Sequence, residues 1–170
     1  MTIHSQHPFD DGRREAARQL RGRLGSRVCL LTAGGPGQRA GWTVSAALIV
    51  DGDPWRVLAL VDPDSDLCEL AESTTRCALH LLSDGQQYLA DAFAGLAPAP
   101  GGPFRLADWE QSTHGPRLAG AENWALLTLE SAATLGWSRQ LVFTVDEAHA
   151  GADPAPLHHL RGRYRSLPSA

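Results

Sequence analysis

The chain has few cysteines and no long apolar run, and these shortages exclude several classes of protein. Cys29, Cys68 and Cys77 are an odd number without paired spacing, which disfavours a disulfide framework or a zinc site and predicts small buried side chains in a reducing compartment. No apolar segment approaches the ~18 residues that span a bilayer. The polar segment from Met1 to Asp10 lacks the apolar core of a signal peptide. We therefore expect a soluble, cytoplasmic protein with no membrane partner and no metal.

The net charge of the chain is small and acidic. Its 15 Lys and Arg residues against 19 Asp and Glu residues give a net charge of −4, which argues against a nucleic-acid-binding surface. With 170 residues, 43% of them hydrophobic, the chain is long enough for one domain with a substantial core, spanning 1–170. The 17 Gly and 11 Pro residues exceed the usual share and favour a fold with many strands and turns.

The hydrophobic pattern predicts a mainly β fold with a few helices. Residues 1–9 are predicted as a flexible arm and residues 10–24 as an N-terminal helix capped by Asp10. Shorter helices and seven strand-like segments are predicted along the rest of the chain: helices at 64–73 and 84–94, and strands at 28–32, 41–50, 57–61, 77–82, 123–132, 141–145 and 157–167. This composition favours a β-barrel over residues 25–167 rather than a doubly wound sheet.

The segment from Gly41 to Pro54 carries the most informative local pattern. It begins with small residues and then places the hydroxyls of Thr43 and Ser45 on an apolar, strand-prone run. Hydroxyls and exposed N–H groups can hold a phosphate, and small side chains let the backbone approach a flat ring. The same residues would also suit an ordinary buried strand. The segments that follow decide between these two interpretations.

Several short motifs follow one another in a recognisable order from Val28 to Tyr164. They are Gly41, Thr43, Ser45 and Ala46; Asp53 and Pro54; Val57 to Val61; Asp62 to Ser65; Leu79 to Leu82; Gln86; Phe93 and Ala94; Trp109; Gly115, Pro116 and Leu118; and Gly136. In this order they resemble the flavin reductase family, whose fold is the FMN-binding split barrel, a Greek-key-like β-barrel. The run from Leu60 to Leu67 and the tail from Arg161 to Tyr164 are similar to an actinobacterial branch of that family.

The resemblance implies a site for FMN or FAD lined mainly by two segments. The segment 43–46 would meet the flavin ring edge and its side chain through backbone groups, and the turn 62–65 would approach the ribityl chain and phosphate. Ser65 is the best single candidate for a phosphate hydroxyl. The candidate cofactor-binding residues are Thr43, Val44, Ser45, Ala46, Asp62, Asp64, Ser65, His80, Gln86, Trp137 and Ser138.

Some candidates depart from the family pattern or have a structural alternative. The family's Gly-Asp-His turn is Gly136-Trp137-Ser138 here, so no catalytic residue is assigned; Ser138 supplies a hydroxyl and Trp137 a stacking face. His80 suits either a satisfied core histidine or a flavin contact. Gln86 suits a hydrogen bond at a helix start. The acidic residues of the turn 62–65 would repel a phosphate unless they point away or Arg side chains intervene.

Two clusters near the C-terminus also have competing interpretations. Arg161, Arg163 and Arg165 alternate, so on a strand they share one side, as a solvated face or as a phosphate-binding surface. His158 and His159 are adjacent, and because neighbouring strand residues point to opposite faces they would not chelate a metal together.

Three functions follow from these observations and the resemblance. The first is a homodimeric oxidoreductase that reduces FMN or FAD with NADH or NADPH, as the reductase component that supplies a monooxygenase. The second is a non-catalytic, flavin-binding dimeric protein of the same fold. The third is a dimeric structural module without cofactor. Bound flavin separates the first two from the third, and flavin-dependent NADH oxidation separates the first from the second.

Overall fold

A computed structural model of the chain describes residues 12–153 and 155–167, with side chains from residue 15 onward. The helices within these residues are α1 (Gly12–Leu24), α2 (Asp66–Thr74) and α3 (Gln87–Phe93), followed by a 3-10 turn at Pro103–Leu106. The strands are β1 (Ser26–Arg27), β2 (Cys29–Gly35), β3 (Gln38–Val44), β4 (Ala47–Val50), β5 (Arg56–Val61), β6 (Arg76–Leu81), β7 (Trp109–Ser112), β8 (Gly115–Leu118), β9 (Asn123–Leu135), β10 (Ser138–Ala150), β11 (Leu157–Leu160) and β12 (Arg163–Ser166).

The principal sheet is antiparallel, with the strand order β3-β2-β6-β9-β10-β5-β4. β3 and β4 lie at opposite ends of this order, although only Ser45 and Ala46 separate them in the chain. Three peptide steps reach at most about 11 Å, so the sheet has to curl until its two edge strands meet. The bend at Ser45 and Ala46 therefore marks the place where the half-barrel closes on itself.

Two apolar clusters fill the two sides of β2. Cys29 and Leu31 point into the cluster inside the curled sheet, which includes Leu67 of α2 and Phe143 of β10. The residue between them, Leu30, points into a second cluster that includes α3. Because β2 is buried on both faces, it lacks the alternating polar pattern of a strand with one solvated face.

The fold class predicted from the sequence, a mainly β barrel with a few helices, is confirmed. The strand predicted over 41–50 is instead two strands, β3 and β4, because the chain changes sheet edge at Ser45 and Ala46. The strand predicted over 157–167 is a hairpin, with its turn at Arg161 and Gly162. β9 and β10 extend further than predicted and meet at the expected turn near Gly136.

The N-terminal helix is observed from Gly12 to Leu24. The arm predicted at 1–9 and the capping residue Asp10 lie outside the described residues. Across the described part of the chain, no helix has the length and apolar character needed to cross a membrane.

Candidate functional site

The bend between β3 and β4 presents polar donors at the surface. Ser45 and Ala46 are exposed, and the Ala46 carbonyl accepts a 2.9 Å hydrogen bond from the Leu60 N–H. Within the described residues, the N–H groups of Ser45 and Ala46 and the Ser45 hydroxyl donate no hydrogen bond. These three donors are therefore available to a ligand, which is the property that the sequence pattern predicted for this segment.

The other two candidates on β3 serve the fold. The side chain of Val44 is buried in the cluster inside the sheet, at 1% exposure. The Thr43 hydroxyl donates to the Ala90 carbonyl at 2.6 Å, which ties β3 to α3. Neither side chain offers a free polar group, so Thr43 and Val44 would meet a ligand only through their backbone, which is the contact predicted for this segment.

The turn from Asp62 to Ser65 is a closed hydrogen-bonded unit. The Ser65 hydroxyl donates to the Asp62 carbonyl at 2.7 Å and accepts from the Cys68 N–H at 3.2 Å, which caps α2. The Asp62 carboxylate accepts from the Asp64 N–H at 3.0 Å. The Ser65 hydroxyl therefore caps α2, and its assignment as the phosphate hydroxyl stays a prediction from the resemblance.

The charge around this turn also disfavours a phosphate. Asp62, Asp64 and Asp66 place three carboxylates within five residues. Arg139, opposite Val61 on β10, is already paired with the Glu72 carboxylate through bonds of 2.8 and 3.0 Å. That pairing lowers the pKa of Glu72. The turn therefore carries three carboxylates, and the nearby Arg139 guanidinium is shared with Glu72.

The turn Gly136-Trp137-Ser138 lies at the same end of the sheet as the bend. Arg139 pairs with Val61, so Ser138 stands beside Asp62, and the Leu60 N–H contacts Ala46. Trp137 is 86% exposed at the tip of the β9–β10 hairpin. The structure thus brings together the bend, the acidic turn and the hairpin tip, three regions that the sequence assigned to one site.

His80 is corrected from a candidate flavin contact to a core residue. It is fully buried, and the Leu118 N–H donates to its Nε2 at 3.1 Å, so Nδ1 carries the hydrogen and donates to the Leu30 carbonyl at 3.1 Å. Burial lowers the pKa of His80 to about 4. With both ring nitrogens engaged, the neutral ring joins β2, β6 and β8 and offers no atom to a ligand.

The side chain of Gln86 is also engaged within the fold. Its side-chain carbonyl accepts from the Ser83 N–H at 2.8 Å, which closes the loop before α3. This is the helix-start hydrogen bond that the sequence left as an alternative. Among the candidates, Ser45, Ala46 and Trp137 are exposed and Ser138 is half-buried, and their contact with a flavin ring stays a prediction.

The cysteines carry no reactive group at this site. Burial raises the pKa of the Cys29 and Cys77 thiols to about 12 and that of Cys68 to about 11. Among the described residues, no cluster of three His, Cys, Asp or Glu side chains could hold a metal ion.

Sequence reasoning missed the Leu60 N–H and Arg139, which fix the two sides of the site. The Leu60 bond holds the bend against β5, and Arg139 anchors β10 to α2 through Glu72. Arg139 directly follows the candidate Ser138 and precedes the apolar run from Leu141 to Phe143, and a charge at that place is a signal that could have been read. The Leu60 bond depends on strand register and leaves no local signal.

A half-barrel whose edge strands meet at a two-residue bend is the architecture of a split barrel. The family model described as "Flavin reductase like domain" matches residues 21–168. The chain therefore belongs to this family, which confirms the family predicted from the sequence motifs.

Curated relatives agree with this assignment. The chain is 31% identical to FMN reductase (NADH) RutF 1 of a strain of Methylorubrum extorquens over 157 residues, covering 91% of this chain and 77% of that protein. It is 33% identical to FMN reductase (NADH) RutF of Ancylobacter novellus over 109 residues, 64% of this chain and 60% of that protein. It is 29% identical to the 4-hydroxyphenylacetate 3-monooxygenase reductase component of Pseudomonas aeruginosa over 111 residues, 64% and 65% of the two chains.

The solved structures support the fold. The NADH:FAD oxidoreductase SgcE6 of Streptomyces globisporus superposes with a TM-score of 0.82 at 23% identity, covering 97% of this chain and 99% of that chain. At this level of identity the similarity establishes the split-barrel fold alone.

Proposed function

We propose that this protein is an oxidoreductase that reduces FMN or FAD with NADH or NADPH. Membership of the flavin reductase family supports the reaction class, and two relatives bear the name FMN reductase (NADH). The observation that carries the proposal is the bend at Ser45 and Ala46, where unused N–H donors are exposed at the closure of the half-barrel. A planar cofactor with acceptor atoms along one edge suits this arrangement.

The donors at the bend suit the ring edge of a flavin, and the carboxylates of the nearby turn 62–65 disfavour its phosphate there. The N–H groups of Ser45 and Ala46 would donate to ring acceptors, and such fixed donors favour negative charge on a reduced ring. The Ser138 hydroxyl lies on the other side of this proposed ring site from the bend, next to Asp62. The acidic turn directs an anionic tail away from Ser65. Bound flavin supplies the hydride acceptor, and the protein positions it against the nicotinamide.

The sequence of the hairpin tip favours a second function, which is flavin binding with little reductase activity. Where the family pattern has Gly-Asp-His, this chain has Gly136-Trp137-Ser138, so the imidazole that resemblance places near the nicotinamide is missing. A hydroxyl and an indole ring replace neither its charge nor its proton exchange. A flavin-binding protein with little reductase activity is the function that this substitution supports.

Two measurements on the purified protein separate these functions. FMN and FAD are titrated while flavin fluorescence is followed, and then NADH or NADPH oxidation is measured with saturating flavin. The proposed function predicts saturable binding and turnover above that of free flavin. Binding without turnover with either nicotinamide would favour the second function, and the absence of binding would favour the structural module.

We also propose that the protein forms a homodimer through β4. Leu48, Ile49, Val50 and the nearby Trp55 are all exposed, by 44% or more, and β4 is an edge strand of the principal sheet. An exposed apolar edge strand is normally covered in a stable protein. Light scattering would show a dimer that Ile49→Lys disrupts and that the control Leu96→Lys, in an exposed loop, does not. A monomer for the unchanged protein would contradict this.

We further propose that the protein supplies reduced flavin to a monooxygenase partner. One relative is named as the reductase component of a monooxygenase. We expect reduced flavin to leave this protein and to reach a separate oxygenase by diffusion or contact. Product formation by an added flavin-dependent monooxygenase would be measured with the two proteins mixed and with them separated by a dialysis membrane. Product on both occasions would indicate diffusion, and product only in the mixture would indicate contact. Cytoplasmic location remains a prediction from the sequence.

A further inference from the structure

An arginine-lined cavity lies outside the candidate flavin site, between the end of α1 and the β11–β12 hairpin. We call it the arginine groove; its volume is about 480 Å³, and it is lined by Arg23, Leu160, Arg161, Arg163 and Arg165. It shares no residue with the bend, the acidic turn or the hairpin tip. We propose that the arginine groove binds the phosphates of a nucleoside diphosphate group.

The four arginines of this groove have no acidic partner within the described residues, as is also true of Arg21, Arg39, Arg76 and Arg105, and what sets the four apart is that they line one cavity. Every basic residue of the chain other than histidine is an arginine, 15 in all, in a chain with a net charge of −4. Five arginines elsewhere form ion pairs with carboxylates: Arg18, Arg27, Arg56, Arg117 and Arg139. Within the described residues, the groove arginines form none. Their mutual repulsion is relieved by a bound anion.

The backbone at Arg161 supports a role for its side chain. Arg161 has φ of +53° and Gly162 has φ of +76°, so together they form the two-residue turn of the hairpin. Asn, Asp or Gly is preferred at the first of these positions, because a longer side chain is disfavoured in the left-handed region. The Arg161 N–H donates to the Gly22 carbonyl at 2.9 Å, which holds the turn against α1.

Simpler explanations account for only some of the four arginines. A cation in the last turn of a helix interacts favourably with the helix dipole, which would explain Arg23. Charges on an edge strand discourage pairing with another chain, which would explain Arg163 and Arg165 on β12. Neither explanation requires Arg161 in a strained turn, nor the convergence of all four side chains on one cavity. An arginine fork binds phosphate oxygens bidentately.

A second cavity continues from the groove and defines the other end of the ligand. It has a volume of about 700 Å³, shares Leu160 and Arg165 with the groove, and is also lined by Leu24, His159 and Leu167. These side chains offer apolar and aromatic surface suited to a flat base. A ligand with two phosphates at one end and a base at the other matches the two connected cavities. This inference does not rest on the proposed flavin reduction, because binding alone tests it.

Thermal denaturation and calorimetry on the full chain without flavin test the proposal. Adenosine diphosphate is expected to raise Tm by about 3 °C or more at millimolar concentration, pyrophosphate less, and adenosine least. Arg161→Gln and Arg163→Gln are each expected to weaken binding of adenosine diphosphate about tenfold or more. Arg105→Gln is the matched control, because it removes one exposed arginine that does not line either cavity.

The outcomes are distinct from those of the flavin assay. Equal weakening by Arg105→Gln, or equal Tm shifts with pyrophosphate and the diphosphate nucleotide, would overturn the proposal, because binding would then depend on overall charge or ignore the second cavity. Parallel weakening of FAD or NADH binding by Arg163→Gln would identify the ligand as part of a dinucleotide. Weakening confined to the free nucleotide would identify a separate nucleotide ligand. Either of the last two results supports the groove as the site.

Discussion

The acidic turn before α2 and the bend between β3 and β4 both carry polar residues that the sequence assigned to one cofactor, but they use them differently. In the turn, the hydroxyl of Ser65 and the carboxylate of Asp62 are engaged within the chain. At the bend, the donors of Ser45 and Ala46 remain unused within the described residues. A polar residue in a motif can therefore serve either the fold or a ligand, and its hydrogen-bond partners distinguish the two.

The largest effect on stability is expected at His80, a buried residue whose two ring nitrogens are both hydrogen-bonded within the fold. His80→Leu leaves the Leu118 N–H and the Leu30 carbonyl buried without their partner, and we expect a loss of about 2–4 kcal/mol in the free energy of unfolding. Urea denaturation measures this loss. A change below about 0.5 kcal/mol would show that the ring nitrogens contribute little to the fold.

The pH dependence of stability provides a second test of His80. Its pKa is lowered by burial to about 4, below the value of 6.5 in an unfolded chain, so the unfolded state binds more protons between these values. Stability present above pH 6.5 should fall by about 3 kcal/mol as the pH drops to 4. This slope should disappear in His80→Leu and persist in the control His149→Gln, in which an exposed histidine is replaced. An unchanged slope in His80→Leu would assign it to other groups.

A smaller effect, on reductase activity, is expected for a substitution at the hairpin tip, which lies at the same end of the sheet as the bend. Ser138→His restores the imidazole of the family pattern beside Asp62, and we expect flavin-dependent NADH oxidation to rise about tenfold or more. The control Ser131→His places the same ring on β9, at an exposed position away from the tip. Equal activity in the two variants would show that the tip takes no part in the reaction.

A paired substitution tests the comparison itself. Ser65→Ala removes the cap of α2 and should lower stability by about 1 kcal/mol while flavin affinity is unchanged. Ser45→Ala should leave stability within about 0.5 kcal/mol and weaken flavin binding, because its hydroxyl is exposed and has no acceptor among the described residues. If Ser65→Ala weakened flavin binding more than Ser45→Ala did, Ser65 would be supported as the residue that binds the flavin phosphate.

The smallest effect is expected in the arginine groove without ligand. Arg163→Gln reduces repulsion among the four groove arginines and should raise Tm by about 1 °C in low salt. The difference should vanish in about 0.5 M salt, because screening removes the repulsion. A lower Tm in the variant would show that Arg163 already has a stabilising partner.

The sequence predicted the β-barrel class and most element positions, because these depend on local patterns and on the order of motifs, whereas the region of the site stays a prediction. It could not separate β3 from β4, because residues 41–50 are strand-prone throughout and the break at Ser45 depends on which distant strand each one pairs with. The role of His80 depended on a carbonyl and an N–H from remote strands. The cap at Ser65 was recoverable, since a serine directly before a helix is a standard N-terminal signal.

The two-residue link between β3 and β4 also sets the phase of the strand that follows it. Side chains alternate along a strand, so one inserted residue would exchange the inward and outward positions of β4 relative to β5. Such an insertion would point the outward-facing side chains of β4 towards the interior, and it would also displace the Ala46 carbonyl from the Leu60 N–H. The length of this linker thus couples the geometry of the candidate site to the surface through which a second copy would dock, and insertions or deletions there should be far less tolerated than in the loop near Leu96.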